Sequence, residues 1–369
     1  MRKYYLWNWL STYMDETLRY QFSGKKENSV RLKHIMFLFV DHFELANKKP
    51  RLSEWMSKYP QLALKHRDAD GMYPKHTWFY ALDLLCEEEL AQLKHLVERG
   101  FGEVELHLHH SCDTPESLKK KLYEGLPYFH KYGFMRPVAD GTAGCFAFIH
   151  GNWSLNNACG DKLCGVDNEI ELLMDAGCYG DFTFPALYSP AQPRMINSIY
   201  YVNKDCFKTG YFKGREAALR QSARNDEFMI FQGPLTVNWK DWRFRWHPAL
   251  ENGDIGRDDS HSKPVRIDVW VRKAIHVKGR PEWIFVKVFC HGGQEYATVL
   301  NEATERMFSY LENTYNDGIN YRLHYVTARE AYNIVKAAED GKDGDPGQYR
   351  DYCIPHPQKR GNRQKSTGQ

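Results

Sequence analysis

The sequence lacks several features that would each assign it to a class. It has no excess of charge: 50 Lys and Arg stand against 47 Asp and Glu, a net of +3. No global field therefore points to nucleic acid as a partner. It has no apolar run of membrane-spanning length, and its N-terminal stretch Tyr4-Tyr5-Leu6-Trp7-Asn8-Trp9-Leu10 lacks the apolar core and cleavage site of a signal peptide. Nine cysteines are scattered without the spacing of a disulfide framework, and Cys159 and Cys164 have no second pair to complete a structural zinc pattern. These absences together predict a cytoplasmic protein with free thiols. The aromatic N-terminal segment, flanked by Arg2, Lys3, Lys25 and Lys26, packs against the domain or makes a peripheral membrane contact. No repeat of solenoid period is present.

What is present is apolar material in abundance. Hydrophobic residues make up 42% of the 369, with 23 Tyr, 20 Phe and 10 Trp, enough for the core of an enzyme-sized fold. From residue 35 to residue 338 strand-like apolar runs alternate with amphipathic stretches, the pattern of βαβ units. The runs are Ile35 to Val40, Thr77 to Tyr80, Val104 to His109, Phe146 to His150, Asp181 to Phe184, Phe228 to Gln232, Ile267 to Val271, Ile284 to Cys290 and Tyr321 to Val326. Helical periodicity marks Cys86 to Arg99, Glu169 to Ala176, Tyr296 to Leu311 and Ala328 to Ala338. The expected organisation is an N-terminal extension (1–30), one α/β domain (31–340) carrying an insertion over about 188–264, and a C-terminal tail (341–369).

Polar groups gather at the ends of these runs, where parallel α/β folds bind ligands. Asp41, His42 and Glu44 follow the first run. Glu105-Leu106-His107-Leu108-His109-His110 closes the third, and strand geometry projects His107 and His109 to one face while His110 turns away. His150-Gly151-Asn152-Trp153 ends the fourth run, Asp181 opens the fifth, and His291-Gly292-Gly293 follows a late one. Neutral imidazoles clustered with carboxylates suit a metal-assisted hydrolase. Glu169 and Glu171, on opposite sides of a helix, need no such role.

In this order the motifs resemble those of the polysaccharide deacetylases, carbohydrate esterases on a distorted (β/α) barrel within the wider glycoside hydrolase/deacetylase barrel superfamily. Phe39-Val40-Asp41-His42 stands at the aromatic-Asp-Asp signature, His76 to Tyr80 at the Ala-Thr-Phe-Phe strand, Glu105 to His110 at the histidine motif, Ile284 to His291 at the final motif, and Tyr325-Val326-Thr327 at the closing strand. The resemblance implies Asp41 as general base, His291 as general acid and His107 as a metal ligand. The chain departs from the pattern where His42 replaces the second Asp, where Ser111 stands at the second motif histidine, and where no Arg motif accompanies His150. It thus resembles a divergent branch.

A facial set of two imidazoles and one carboxylate is satisfied by Glu44, His107 and His109, with His42 and His110 as alternative ligands. A divalent transition metal, zinc foremost, is the implied cofactor. His150, Asn152, Trp153 and Asp181 would bind substrate through hydrogen bonds and ring stacking. The implied function is removal of N-acetyl or O-acetyl groups from a sugar, free or lipid-linked, during assembly of a surface polysaccharide or glycoconjugate. Two other readings stand beside it: a glycoside hydrolase using paired carboxylates among Asp41, Glu44 and Asp181, and a non-catalytic carbohydrate-binding barrel.

Overall fold

Strand β1 (Lys33–Phe43) organises the fold, because three other strands pair with it in parallel. The computed structural model describes residues 9–15, 31–46, 48–135, 145–187, 189–244, 247–256 and 258–357. The remaining strands are β2 (His76–Ala81), β3 (Gly102–Leu108), β4 (Phe146–His150), β5 (Cys178–Asp181), β6 (Ile199–Asn203), β7 (Arg215–Glu216), β8 (Glu227–Phe231), β9 (Thr236–Phe244), β10 (His247–Glu251), β11 (Trp283–Cys290) and β12 (Tyr321–Val326). Along one edge β1 pairs with β11; along the other it pairs first with β12 and then, from Phe39 onward, with β2.

The ten-stranded sheet runs β11-β1-β2-β3-β4-β5-β8-β6-β7, with β12 beside β1. All its pairings are parallel except those of β6 with β7 and β8. The main helices are α1 (Lys49–Ala63), α2 (Glu87–Glu98), α3 (Pro115–Lys131), α4 (Glu169–Asp175), α5 (Pro264–Arg272), α6 (Tyr296–Val299), α7 (Glu302–Tyr315) and α8 (Ala328–Glu339). The protein is thus a mixed α/β fold on a parallel sheet. Among the described residues the strand order does not close into the expected barrel. Side chains bridge the seam instead: Lys287 Nζ on β11 donates to Phe182 O at 2.5 Å, and Phe231 packs on both Phe182 and Phe285.

Strand alternation divides the core in two. Ile35, Phe37 and Phe39 face one layer with Trp55 and Tyr59 of α1, Leu106 of β3 and Phe148 of β4. Met36, Leu38 and Val40 face the other, with Ala147, Ile149, Phe285, Phe289 and the apolar side of α8. Residues buried on both sheet faces explain why the strands read as continuous apolar runs. Local signals set the helix starts. Thr327 and Glu330 form a reciprocal capping box at α8, and Thr114 caps α3 by accepting from Ser117 N.

One expected strand is a helix. Ile267 to Val271 lies in α5, which Pro264 opens and which buries Ile267, Val269, Trp270 and Val271. A short apolar run has no periodicity of its own to separate strand from helix, and the proline at the first helical position is the discriminating residue. Within 188–264, β8 joins the main sheet, β6 and β7 extend it, and β9 with β10 forms a separate two-stranded sheet. Near the N-terminus, Trp9 and Tyr13 are buried against Leu187, Ile196 and Leu235, while residues 1–8 and 16–30 lie outside the described part. The tail is described to residue 357, where Arg350 is buried against Asp68, Asp70 and Glu330. No helix among the described residues is long and apolar enough to cross a membrane.

Candidate metal centre and cleft

The alternation that sorts the core also sorts the histidines at its C-terminal rim. On β3, Val104, Leu106 and Leu108 belong to the layer facing the helices, so His107 and His109 project from the opposite face. There they meet Glu44, which follows β1. Glu44 Oε1 lies 3.4 Å from His107 Nε2 and 3.3 Å from His109 Nε2. Its other oxygen accepts from the Gln294 side-chain amide.

The hydrogen bonds behind each ring fix which nitrogen faces inward. His107 Nδ1 donates to Ile149 O at 3.0 Å, so Nε2 presents its lone pair to the carboxylate, fully buried and with no hydrogen-bond partner. Burial keeps the pKa of His107 below the ordinary imidazole value, although Glu44 pulls the other way. A neutral imidazole and a carboxylate facing each other with lone pairs repel unless a cation lies between them. Ligand atoms about 2.0–2.1 Å from a tetrahedral zinc lie about 3.3–3.4 Å apart, which is the spacing of these atoms. The residues present therefore fit a divalent ion.

His109 is oriented by a residue that the sequence did not single out. Asp83, in the turn after β2, accepts from His109 N at 2.9 Å and faces His109 Nδ1 at 3.1 and 3.2 Å. Burial works against charge on this ring, but Asp83 and Glu44 outweigh it and lift its pKa to about 10, so without an ion the ring is a cation paired with both carboxylates, and an ion at Nε2 would displace that proton. A carboxylate behind a ligating imidazole fixes its tautomer and raises its basicity. Asp83→Asn is expected to weaken zinc affinity by about 10–100-fold, measured by competition with a chromophoric chelator. Unchanged affinity would remove Asp83 from the centre.

Beside these residues opens a cleft of about 870 Å³, lined by His291, Gln294, Trp153, Asn152 and Phe289. His42, buried on the Val40 face of β1, packs against both Trp153 (4.6 Å) and His291 (4.7 Å), which also contact each other at 6.3 Å, and meets His107 edge-on at 5.0 Å. Burial, reinforced by His291 and His107, holds its pKa well down. His42 thus connects the cleft to the Glu44–His107–His109 group as a packed neutral ring, outside the set of converging candidate ligand atoms. Trp153 adopts φ +55°, a conformation bulky residues rarely take, which presents its ring to the cleft wall. Asn152 also lines the cleft, with its amide committed to His110 O and Leu163 O.

Four expected site residues lie elsewhere. Asp41 shares the Phe39 face of β1, is fully buried, and points to α1 rather than into the cleft. Its oxygens accept from Gly292 N (2.7 Å) and meet His76 Nε2 (2.9 Å). His110 and His150 turn to the helix-facing side, where Glu169 of α4 receives them at 2.8 and 3.7 Å. Asp181 is buried among Thr183 N and Oγ1; burial raises its pKa and lowers that of nearby Lys287. Asp41, His150 and Asp181 are paired strand residues whose position in the alternation sets the face they take, whereas His110 lies past the end of β3 and its facing follows the loop.

His110, His150, Cys164 and Glu169 form a second, fully buried group of candidate ligands. It suits an ion poorly. His150 Nδ1 accepts from Asn152 N at 3.1 Å, so its proton sits on Nε2, the atom that would have to ligate. Burial lowers the His150 pKa to about 3, in keeping with a neutral ring beside Glu169.

Gly292 and Gly293 are sterically required. A Cβ at Gly292 would lie 2.4 Å from Asp41 Oδ2 and 2.6 Å from Trp55 Cζ2; one at Gly293 would lie 2.4 Å from Glu44 N. Gly293→Ala, which presses on backbone, is expected to cost about 1–3 kcal/mol of stability, read from denaturant unfolding. A change within 0.5 kcal/mol, the ordinary surface range, would mean the segment relaxes freely.

No protein-family model matches the chain, and no curated protein matches it. Among solved structures it is similar to the 4-alpha-glucanotransferase from Thermococcus litoralis, with a TM-score of 0.42 and 11% identity over 80% of this chain. The match spans 39% of that enzyme's chain. At that level the likeness concerns the coarse course of the backbone, and nothing at the site rests on it.

Proposed function

We propose that the protein is a metal-dependent carbohydrate deacetylase, with Glu44, His107 and His109 holding a divalent ion, zinc by ligand type. The observation that carries this reading is the meeting of His107 Nε2 and His109 Nε2 at Glu44 Oε1, behind Gln294, which lines the cleft and donates to Glu44. When bound, the ion supplies Lewis acidity, polarising a substrate carbonyl and acidifying water. The chain's own residues supply the rest. His291, half-buried on the cleft wall, is the proton-transfer group: it takes a proton as water attacks the acetyl carbonyl and returns it to the departing amine. Trp153 offers an aromatic wall for a sugar ring, and the packed His42 excludes water behind the reacting centre.

A glycosidase reading through the expected carboxylates draws less support, since Asp41 and Asp181 are fully buried, and the carboxylates that line the cleft are instead Asp254, Asp258 and Glu295. Purified protein loaded with zinc should retain about one equivalent after desalting, as a three-ligand set with an open fourth position implies, and should release acetate from N-acetylated chito-oligosaccharides. Reducing-end formation without acetate would instead favour glycosidic cleavage.

A further inference from the structure

A second constellation reaches the cleft from behind. His76, at the start of β2, is enclosed by Phe39, Trp55, Tyr59 and Trp78, with ring centroids 4.6 to 5.4 Å away. So confined, the ring has little freedom to turn. Its Nε2 lies 2.9 Å from Asp41 Oδ2, while Asp41 Oδ1 accepts from Gly292 N at 2.7 Å. The same glycine is gripped on its other side, where its carbonyl accepts from Trp55 Nε1 at 2.9 Å. Both backbone polar groups of Gly292, the residue next to His291, are thereby bound to buried side chains. The absence of a side chain at Gly292 is what admits Asp41 and Trp55 so closely.

On its other side the His291 ring stacks on His42 at 27°. Its backbone is thus held by Asp41 and Trp55 and its ring by His42. A carboxyl group with both oxygens engaged and no exposure has no path to a proton in the cleft.

We propose that the buried Asp41–His76 pair is a positioning device for His291, anchoring Gly292 against β1, and takes no part in proton transfer. This rests on the reading of His291 as the cleft's proton-transfer group. The pair forms one side of a clamp and Trp55 the other; together they set where the imidazole stands.

The test uses the full zinc-loaded chain carrying Asp41→Ala or Trp55→Phe, the second retaining the aromatic enclosure while removing only the donor to Gly292. Displacement of a reacting group by about 1 Å costs about 10²-fold, so Asp41→Ala should lose about that in kcat. Trp55→Phe should lose a smaller share, with KM, zinc content and both limbs of the pH profile preserved in each. An Asp41→Ala variant that loses one pH limb while Trp55→Phe behaves as wild type would overturn the proposal. Because Asp41→Ala removes a buried polar network and can unfold the chain, Trp55→Phe carries the test alone if needed. A readout independent of turnover is the ring resonance of His291, assigned by its disappearance in His291→Ala. Its shift or broadening in Trp55→Phe supports the anchor, and an unchanged signal rejects it. A shifted signal in a protein that releases no acetate would retain the anchor and reject the deacetylase reading.

Discussion

Replacing His107 by alanine is expected to leave a folded protein that holds no stoichiometric zinc and releases no acetate above background. His107 supplies one of only three converging ligand atoms, and its Nε2 is buried without any other partner. The loss should exceed the ~10–100-fold that removal of an outer partner such as Asp83 produces. The variant should lose about 2–5 kcal/mol of stability, from the cavity left at a fully buried position and the Ile149 carbonyl left without its donor, and a circular-dichroism melt reads this beside the metal content. Elemental analysis of wild type and variant after identical zinc loading checks this. Equal zinc in both would exclude His107 as a ligand.

His291→Ala is the second large effect, and its signature differs. Zinc should remain at the wild-type level, because His291 lies outside the converging ligand set. The rate should fall by about 10²–10⁴-fold, the ordinary contribution of a positioned proton-transfer group, with KM little changed. The measurement is steady-state acetate release alongside metal content. If zinc falls with activity, His291 belongs to the centre as a ligand; if neither changes, proton transfer has another agent.

Much of this arrangement was legible in the residues. The period-two rule alone separates His107 and His109 from His110, and the structure puts the first two beside Glu44 and the third beside Glu169. Most strand positions followed from apolar runs buried on both sheet faces, but the expected strand Asp181 to Phe184 instead ends at Asp181 (β5, Cys178–Asp181), and Ile267 to Val271 is helical. Less was legible where the chain leaves a strand. Asp41 and His42 are adjacent, and one step of register decides that His42 looks toward the cleft while Asp41 looks toward α1. A family motif that places an Asp at this point carries no statement of which face it takes in this chain. Asp83 was missed because its signal is spatial: it lies 26 positions from His109 in an unremarkable Leu-Asp-Leu turn. Gln294 reaches Glu44 across 250 positions, again without a sequence mark beyond its place after Gly292 and Gly293. Glu169 looks like a solvated helix-start carboxylate, and only its meeting with His110 and His150, at the ends of β3 and β4, reveals it as their buried partner.

The tautomers carry the functional distinction between the two histidine groups. His107 turns its donor nitrogen outward to a carbonyl, leaving a lone pair for a cation. His150 does the opposite, receiving a backbone N–H on Nδ1 and keeping a proton on Nε2. Hydrogen bonding thus favours the first group over the second as the holder of the proposed ion, although both contain two imidazoles and a carboxylate.

The most direct measurement is anomalous diffraction at the zinc edge from crystals of the zinc-loaded protein. A single strong peak within bonding distance of Glu44 Oε1, His107 Nε2 and His109 Nε2 is the expected result. No peak there, or a peak instead among His110, His150, Cys164 and Glu169, would contradict the assignment of the metal centre.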